Sequence, residues 1–244
     1  MLPEICKIGF FTIYSYGLML VLAFFVSTYL VSFQAKKEQV DPEKIFNLCF
    51  YIFILGVIGA RIFYLLSNIN FYLHHPLEII MLQHGGLSWF GGLIFGSVTA
   101  VIIIKKNKID LLKTLDLLIP FIALGQAIGR IGCFLNGCCF GGASKFGIYF
   151  KTFNQVLIPT QLYSSLSLVL IFIILRWMQE KKHLPGQIIC SYLFLYSLKR
   201  FFIEFFRNDT PKMFYGLTLF QILSLAMFIS SFLMFAWIFC FKKK

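Results

Sequence analysis

Four basic residues of this 244-residue chain lie inside long apolar stretches, where a charged side chain is costly. They are Arg61, Arg130, Lys199 and Arg200. At the centre of a bilayer each such charge costs at least about 2.5–3.5 kcal/mol, so these residues usually face a protein interior or a watery cavity. A guanidinium group matches a phosphate through two parallel hydrogen bonds. The residues therefore suggest binding of an anionic group at membrane depth; the alternative is that each extends separately to the headgroups.

The segment YSLKRFFIEFFRND places Arg200, Glu204 and Arg207 on one helical face, at spacings of four and three residues. A carboxylate at this spacing lowers the cost of burying an arginine and holds its guanidinium in a fixed direction. One alternative is a purely structural ion pair that fixes this helix to its neighbours. Against that, one carboxylate faces several guanidinium groups, and the excess positive charge suits an anionic ligand such as a lipid phosphate.

The segment GRIGCFLNGCCFGG, residues 129–142, joins Arg130 to a glycine-rich exit from an apolar stretch. Glycines let the backbone approach a ligand closely, and successive exposed N–H groups can form an anion-binding concavity. Asn136 is a candidate hydrogen-bonding partner for a headgroup, with an ordinary helix cap as the alternative. The pattern indicates an anion-binding segment because it stands beside an intramembrane arginine.

Three of the seven cysteines, Cys133, Cys138 and Cys139, belong to this segment. A disulfide between the last two would be strained, since neighbouring Cα atoms are about 3.8 Å apart. Zinc would need further ligands. The histidines predicted on the same side are His74, His75 and His84. Small buried thiols are the simpler interpretation, so the sequence predicts neither a metal nor a cofactor.

His84 stands directly beside a glycine pair in HGGLSWFGG and could act as a general base near neutral pH. The alternative is an interfacial histidine that makes one hydrogen bond. Tyr16, Gln161 and Tyr163 are polar residues expected at the same depth as the arginines. Together these positions predict one polar cavity that opens to the outer leaflet.

The elements that must position these residues are apolar helices. The chain is 59% hydrophobic and 13% charged, with a mean hydropathy of +0.83, which excludes a water-soluble globular protein. Continuous apolar runs without two-residue alternation disfavour a barrel. The prediction is an all-α polytopic membrane protein with seven transmembrane helices in a single domain, 1–244. The predicted stretches are 15–33, 45–66, 88–104, 114–135, 159–178, 187–206 and 215–241.

The remaining cations fall unevenly on the two sides of these predicted helices. Thirteen lie in one set of connections and five in the other, within a net charge of +12. The positive-inside rule then places the N-terminus outside and the C-terminus in the cytoplasm. Because no basic stretch is interleaved with a soluble domain, nucleic-acid binding is not expected. The connection around 136–158 is short and is predicted to lie on the outer side.

Four segments occur in an order and spacing that identify a family: HGGLSWFGGLIFG, GRIGCFLNGCCFG, PTQLYSS and YSLKRFFIEFFRND. In these segments, and from Ser15 to the last apolar stretch, the chain resembles the prolipoprotein diacylglyceryl transferases. The resemblance implies a seven-helix enzyme of the bacterial inner membrane. Such an enzyme moves diacylglycerol from phosphatidylglycerol to the lipobox cysteine of a prolipoprotein and releases glycerol phosphate.

The resemblance also implies roles for individual residues. Arg130 and Arg200 match the two essential arginines of the family, and Arg61 matches a basic position in the second helix. Other matches to its functional pattern are Tyr16, Asn136, Tyr196 and Glu204. On this basis the expected catalytic residues are Arg130, Arg200, Glu204 and His84. The expected substrate-binding residues are Arg61, Tyr16, Asn136, Tyr196, Gln161 and Tyr163.

Several positions depart from the family pattern. Cys133 stands where the family has Asn, Cys138 where it has Glu, and Phe90 where a catalytic His is frequent. The stretch at 158–164 lacks a further His and Glu. The segment between Gly142 and the next helix is short, which implies a reduced periplasmic head.

The mechanism that follows is a hypothesis with two alternatives. Arg130 and Arg200 hold the lipid phosphate while an acceptor thiolate attacks the adjacent glycerol carbon, with His84 as the base. The expected partners are phosphatidylglycerol, the prolipoprotein signal peptide with its lipobox cysteine, and the bilayer, and a monomer is expected. One alternative is a divergent paralogue that acts on another acceptor. The other is a non-enzymatic lipid-binding membrane protein.

Overall fold

The computed structural model describes residues 2–8, 11–79, 81, 85–207, 210–214 and 216–241. Helices account for most of these residues. The α-helices are α1 (Ser15–Lys37), α2 (Pro42–Ser67), α3 (Ile69–His74), α4 (Trp89–Lys106), α5 (Leu111–Asn136), α6 (Thr160–Gln179), α7 (Gln187–Glu204) and α8 (Leu219–Phe241). A short 3₁₀ helix covers Pro76–Ile79.

The strands form three small antiparallel pairs between the helices. They are β1 (Glu4–Ile8) with β2 (Phe11–Tyr14), β3 (Ala143–Phe150) with β4 (Gln155–Leu157), and β5 (Lys212–Phe214) with β6 (Leu217–Thr218). The β3–β4 pair lies in the connection around 136–158, which the sequence predicts to be short and to lie on the outer side. Phe150 is fully buried there, with its ring 6.2 Å from that of Phe134 and 5.9 Å from that of Phe140.

Six helices within the described ranges are long and apolar enough to cross a membrane. They are α1, α2, α4, α5, α6 and α8, which confirms a helical polytopic membrane protein. α7 coincides with the predicted stretch 187–206, but its 18 residues include Lys199, Arg200 and Glu204. These charges separate α7 from the six apolar helices, so the seventh crossing stays a prediction.

The helices extend beyond several predicted apolar stretches. α1 continues to Lys37 and α4 to Lys106, because a lysine at the end of a helix can reach the headgroups while its backbone remains helical. α2 begins at Pro42, where the side chain of Asp41 accepts a hydrogen bond from the backbone N–H of Glu43. Proline is favoured at such a first position because it has no N–H to satisfy.

The chain divides into two compact units. The first unit comprises Met1–Ser27 and Leu115–Lys244, and the second comprises Thr28–Thr114. In the second unit the backbones of α2 and α4 approach each other unusually closely. A Cβ atom on Gly91 would lie 2.3 Å from the carbonyl oxygen of Gly59, and one on Gly59 would lie 2.3 Å from Cγ of Phe95. The two glycines therefore allow direct backbone contact, as small residues do between membrane helices.

In the first unit an apolar cluster joins α5, α6 and α7. Its buried members are Ile119, Ala123, Ile171, Leu175, Ile188 and Tyr192. The Tyr192 hydroxyl donates a hydrogen bond to Oε1 of Gln126 at 2.9 Å. α1 meets α5 at Gly132, where a Cβ would lie 2.9 Å from Cβ of Met19 and 3.4 Å from the Tyr16 ring. Two of the helices in this cluster, α5 and α7, therefore also carry Arg130 and the Arg200–Glu204 pair.

Asp116 fixes the start of α7 from α5. Its carboxylate accepts hydrogen bonds from the backbone N–H groups of Gly186 at 2.6 Å and Ile189 at 2.9 Å, and the residue is 2% exposed. A carboxylate at a helix N-terminus satisfies donors that have no partner within the helix and opposes the positive end of the helix dipole. Asp116 therefore sets the position of the helix that carries Arg200 and Glu204.

The substitution Gly91→Ala is expected to destabilise the protein by about 1–3 kcal/mol, because α2 and α4 must separate to admit the methyl group. Gly92→Ala is the matched control, since its Cβ would lie an ordinary 3.5 Å from the Gly56 carbonyl oxygen. Thermal unfolding in detergent micelles, followed by circular dichroism, measures both. Equal midpoints for the two variants would contradict the close approach.

The substitution Asp116→Asn is expected to lower the unfolding midpoint, because one buried N–H of α7 loses its acceptor at a cost of about 1–3 kcal/mol. Asp110→Asn is the control, since Asp110 accepts an exposed bond from the N–H of Lys113 and asparagine caps helices equally well. The same unfolding measurement applies. An Asp116→Asn midpoint as high as that of Asp110→Asn would refute the capping role.

Candidate active site

The paired charges predicted on α7 form a buried ion pair. Oε2 of Glu204 lies 3.1 Å from Nη2 of Arg200 and 4.0 Å from Nε of Arg207, and Glu204 is 2% exposed. Oε1 of the same carboxylate accepts a hydrogen bond from the Thr218 hydroxyl at 3.1 Å. The spacing of four residues produces the contact as expected, and Thr218 adds a bond from the strand that precedes α8.

Arg200 is also fixed from its other side. Its guanidinium carbon lies 4.4 Å from the centre of the Phe220 ring, within the range of a cation–π contact. Lys199 is 9% exposed, and its Nζ lies 4.5 Å from the centre of the Tyr196 ring. Aromatic faces thus hold two neighbouring cations of α7 in place.

Positive charge exceeds negative charge in this region of the first unit. Arg130, Arg200 and Arg207 are all close enough to Lys199 for their charges to act on it. Within the described ranges the carboxylate of Glu204 pairs with Arg200 and lies 4.0 Å from Nε of Arg207. Among these described residues the cations therefore outnumber the carboxylate. Such an arrangement favours an anionic ligand.

Arg130 differs from the other arginines in its contacts. Among the residues that the structure describes, its side chain makes no ion pair with a carboxylate and no side-chain hydrogen bond. Its charge acts on Arg200 and on the Tyr16 side chain. The donors of this guanidinium are therefore available to an incoming group, in contrast to those of Arg200.

The glycine-rich segment that follows α5 is held by hydrogen bonds to its backbone. Nε2 of Gln161 donates to the Cys138 carbonyl at 2.5 Å, and the Thr160 hydroxyl donates to the Cys139 carbonyl at 2.6 Å. The Gly142 N–H donates to the Phe206 carbonyl at 3.0 Å, which ties the segment to the end of α7. Loop and helix are therefore fixed to each other beside the ion pair.

This backbone arrangement brings three thiols together. The Sγ atoms of Cys133, Cys138 and Cys139 all lie within 4.8 Å of one another, and the last two are 3.8 Å apart. Hydrogen bonds with the Cys133 and Cys138 thiols, together with the charges of Arg130 and Arg207, lower the pKa of the Cys139 thiol below its usual range. Asn136, which is exposed, interacts through its side chain with Cys138.

Arg61 makes contacts that the sequence analysis did not anticipate. Its guanidinium donates to the backbone carbonyls of Glu78 at 2.5 Å, Gly85 at 2.6 Å and Gly86 at 3.1 Å. Its Nε donates to the Ile79 carbonyl at 3.2 Å, and the residue is 7% exposed. Every nitrogen of the group therefore has a backbone partner. Arg61 holds the described backbone at 78–79 and 85–86 of the second unit.

His84, the expected general base, lies outside the described residues. Gly86, two residues later, adopts φ = +83°, and a Cβ there would lie 2.5 Å from the Tyr64 ring and 2.7 Å from Nη1 of Arg61. Only glycine fits at this position, since both the backbone angle and the space exclude a side chain. The glycine pair therefore has a structural role in the loop.

The sequence of this chain is similar to those of known proteins. A model of the prolipoprotein diacylglyceryl transferase family matches residues 3–237. The chain belongs to this family. A protein of Clostridium tetani named phosphatidylglycerol–prolipoprotein diacylglyceryl transferase is 33% identical over 216 residues, which cover 86% of each chain. A protein of the same name from Clostridium kluyveri is 36% identical over 218 residues, which cover 85% of this chain and 86% of the relative.

A third relative in the prolipoprotein diacylglyceryl transferase family comes from Clostridium perfringens and is named phosphatidylglycerol–prolipoprotein diacylglyceryl transferase 2. It is 34% identical over 229 residues, which cover 91% of this chain and 87% of the relative. These matches confirm the family resemblance that the four sequence segments carry.

The structure of this transferase-family chain gathers some expected site residues and not others. Arg130, Tyr16, Arg200 and Glu204 belong to the first unit and interact electrostatically there. Tyr163 is 45% exposed and its carbonyl accepts a hydrogen bond from Ser167. Gln161 contacts the backbone of the cysteine segment through its buried side chain.

Sequence reasoning missed three residues that hold this site: Asp116, Thr160 and Thr218. Each makes its contact to a residue that is distant in sequence, so no local pattern reveals it. The sequence identifies Lys199 as an intramembrane cation without assigning it a role. Its position directly before Arg200 is the feature that could have indicated a place in the site.

The substitution Glu204→Gln is expected to destabilise the protein by about 3–5 kcal/mol, because Arg200 and Arg207 lose their buried counter-charge. Thr218→Val is the control that keeps the charge. It removes a hydroxyl that makes two hydrogen bonds, to Glu204 and to the Gln221 N–H, worth about 1 kcal/mol each. Thermal unfolding in detergent ranks the variants, and a smaller loss for Glu204→Gln than for Thr218→Val would refute the charge argument.

Proposed function

We propose that this chain transfers the diacylglyceryl group of phosphatidylglycerol to the lipobox cysteine thiol of a prolipoprotein and releases glycerol phosphate. Family membership and the names of its relatives support this activity. One structural observation supports it most directly: the guanidinium of Arg130, without a partner among the described residues, belongs to a cluster with excess positive charge. A phosphodiester in the membrane is an anion that such a cluster would bind.

In this proposal Arg130 and Arg200 hold the phosphate of the lipid. The acceptor sulfur attacks the carbon of the diacylglycerol moiety that bears the phosphate, and a sulfur–carbon bond forms as the bond from that carbon to the phosphate oxygen breaks. The electron pair of that bond leaves with the phosphate oxygen of glycerol phosphate. Because negative charge grows on the leaving phosphate, fixed guanidinium groups stabilise the transition state more than the ground state.

Neighbouring residues have supporting roles. Glu204 orients Arg200 through the ion pair at 3.1 Å, and Lys199 adds positive charge from the same helix. Tyr16, which interacts electrostatically with Arg130, is a proposed substrate-binding residue, as are Tyr196 beside Lys199 and the exposed Asn136.

Two side chains on α6 have different proposed roles. Gln161 is a positioning residue, because its amide holds the Cys138 carbonyl, whereas the exposed Tyr163 is available to a lipid tail or signal peptide.

The roles of the second unit are proposed from its loop. His84 is the candidate general base for the acceptor thiol. Arg61 is proposed as the positioning residue of this loop, since it holds the carbonyls of Gly85 and Gly86, which follow His84 directly.

We also propose the topology that the cation distribution predicts. α7 is the seventh crossing, the N-terminus lies outside and the C-terminus lies in the cytoplasm. Residues 1–244 form a single transmembrane domain, in which the β3–β4 pair is the reduced periplasmic segment around 136–158. The protein is proposed to be a monomer in the bacterial inner membrane, where phosphatidylglycerol and prolipoproteins meet.

The substitution Arg130→Ala is expected to lower the rate of glycerol phosphate release about 10²–10³-fold, the usual effect of losing one transition-state donor. Arg130→Lys keeps the charge but loses the two-pronged hydrogen bonding, so we expect it to remain impaired. Protein reconstituted with phosphatidylglycerol and a lipobox peptide provides the assay.

The control for Arg130 is Lys145→Gln, which removes an exposed cation on β3 without touching the site. It should keep wild-type turnover. Full turnover by Arg130→Ala would refute the proposed phosphate contact. Failure of the wild-type protein to complement a strain depleted of the transferase would refute the proposed function.

A further inference from the structure

The three thiols of the first unit form a cluster that the mechanism above does not use. The Sγ atoms of Cys133, Cys138 and Cys139 all lie within 4.8 Å of one another, and each residue is partly buried. One sulfur comes from the last turn of α5 and two from the segment that follows it. Sulfur atoms brought together in this way are the ligands that soft and borderline metal ions prefer.

The backbone fixes the direction of these thiols. Cys139 adopts φ = +63°, a left-handed conformation that costs a residue with a side chain about 1–3 kcal/mol. The bonds from Thr160 and Gln161 to the carbonyls of Cys139 and Cys138 hold this conformation. The fold therefore maintains a strained backbone that places the last two sulfurs 3.8 Å apart.

We propose that Cys133, Cys138 and Cys139 bind one zinc ion and leave its fourth position open to the acceptor thiol. Tetrahedral zinc with zinc–sulfur bonds of about 2.3 Å separates its sulfur ligands by about 3.8 Å. The pair Cys138–Cys139 already has this separation, and Cys133 is within a side-chain adjustment of it. Three protein ligands with one exchangeable position are typical of catalytic zinc sites.

The described part of the chain leaves the fourth position open. No histidine, aspartate, glutamate or further cysteine among the described residues joins the three thiols as a possible ligand. A structural zinc site would be closed by a fourth protein ligand. The open position is the one that a substrate sulfur would occupy.

The surrounding charges are compatible with a metal–thiolate group. Three thiolates and one divalent zinc ion carry a net charge of −1. The charges of Arg130 and Arg207 act on Cys139, and that of Arg130 acts also on Cys133. The positive charge of Arg130 would therefore stabilise the loaded site, which lies beside the residue proposed to hold the phosphate.

The role of the metal rests on the proposed function. The acceptor thiol binds zinc and releases its proton to water, because a coordinating thiol is deprotonated. In this version of the mechanism zinc, and not His84, ionises the acceptor thiol. Its sulfur then attacks the glycerol carbon, the carbon–oxygen bond breaks, and the electron pair leaves with glycerol phosphate. The thioether that forms carries no charge and dissociates from the metal. No oxidant or reductant is needed.

A zinc ion at this site would also account for two departures from the family pattern. Phe90 and Cys138 stand where the family resemblance leads us to expect a histidine and a glutamate. A histidine and a glutamate could accept or orient a proton. The phenyl ring of Phe90 and a metal-bound thiolate of Cys138 could not. A metal that ionises the acceptor thiol would supply the missing acid–base chemistry in this chain.

The first experiment measures metal binding without turnover. Purified full-length protein in detergent is titrated with Co²⁺, which replaces zinc and gives sulfur-to-cobalt charge-transfer absorption. We expect one equivalent to bind. Cys133→Ser, Cys138→Ser and Cys139→Ser should each weaken binding by about 100-fold or more, since even outer partners of a metal site contribute 10–100-fold.

The control for these variants is Cys190→Ser, which removes a buried thiol on α7 and should bind cobalt as the wild type does. Circular dichroism checks that each variant is folded. Absence of charge-transfer absorption in the folded wild-type protein would overturn the metal site. So would wild-type cobalt affinity in all three folded cysteine variants.

The second experiment tests the open position. A lipobox peptide with its cysteine should shift the cobalt spectrum, and the same peptide with serine at that position should not. A spectrum that the cysteine peptide leaves unchanged would overturn the proposal that the acceptor sulfur binds the metal.

The third experiment separates this inference from the proposed function. A chelator should lower glycerol phosphate release from phosphatidylglycerol at least 10-fold, and added Zn²⁺ should restore it. Full turnover in chelated protein would overturn the metal role while the proposed function stands. A protein that binds cobalt but releases no glycerol phosphate with added Zn²⁺ would overturn the proposed function, and with it the role of the metal in catalysis.

Discussion

The structure of the first unit depends on one buried carboxylate among several cations. Glu204 pairs with Arg200, approaches Arg207 and accepts a hydrogen bond from Thr218. In surroundings of low dielectric constant each cation would be costly alone, and one carboxylate does not neutralise them all. Arg130 pairs with no carboxylate among the described residues, so the proposed lipid phosphate and the proposed metal–thiolate group would each supply negative charge beside it.

The contrast between Arg61 and Arg130 shows how the same residue type serves different purposes. Both arginines lie within long apolar stretches of the sequence, and this pattern alone does not distinguish them. The structure gives Arg61 backbone carbonyls as partners, so its charge stabilises a loop. Arg130 has none of these contacts in the described chain and remains available to a ligand. The difference arises from which loops fold back onto each helix.

The sequence predicts this protein best where local spacing decides the outcome. Apolar length predicts six of the helices, and the interval of four residues predicts the Arg200–Glu204 pair. It does not predict the cap that Asp116 forms on a helix 70 residues away, because the partner is a backbone N–H without a sequence signature. The convergence of Cys133 with Cys138 and Cys139 likewise depends on left-handed backbone at Cys139. Physical reasoning alone left open whether the intramembrane arginines bind a ligand or are structural. The motifs shared with the family decided the functional prediction.

The cap formed by Asp116 has a geometric consequence for the two arginines. Fourteen residues separate Asp116 from Arg130, and fourteen separate Gly186 from Arg200, so each arginine lies about 21 Å along its helix from the shared contact. Equal lengths bring both guanidinium groups to a common level. One extra residue in either helix would turn its arginine by about 100° and abolish that alignment. The segments from Asp116 to Arg130 and from Gly186 to Arg200 are thus equal in length, and a change in one would require the same change in the other.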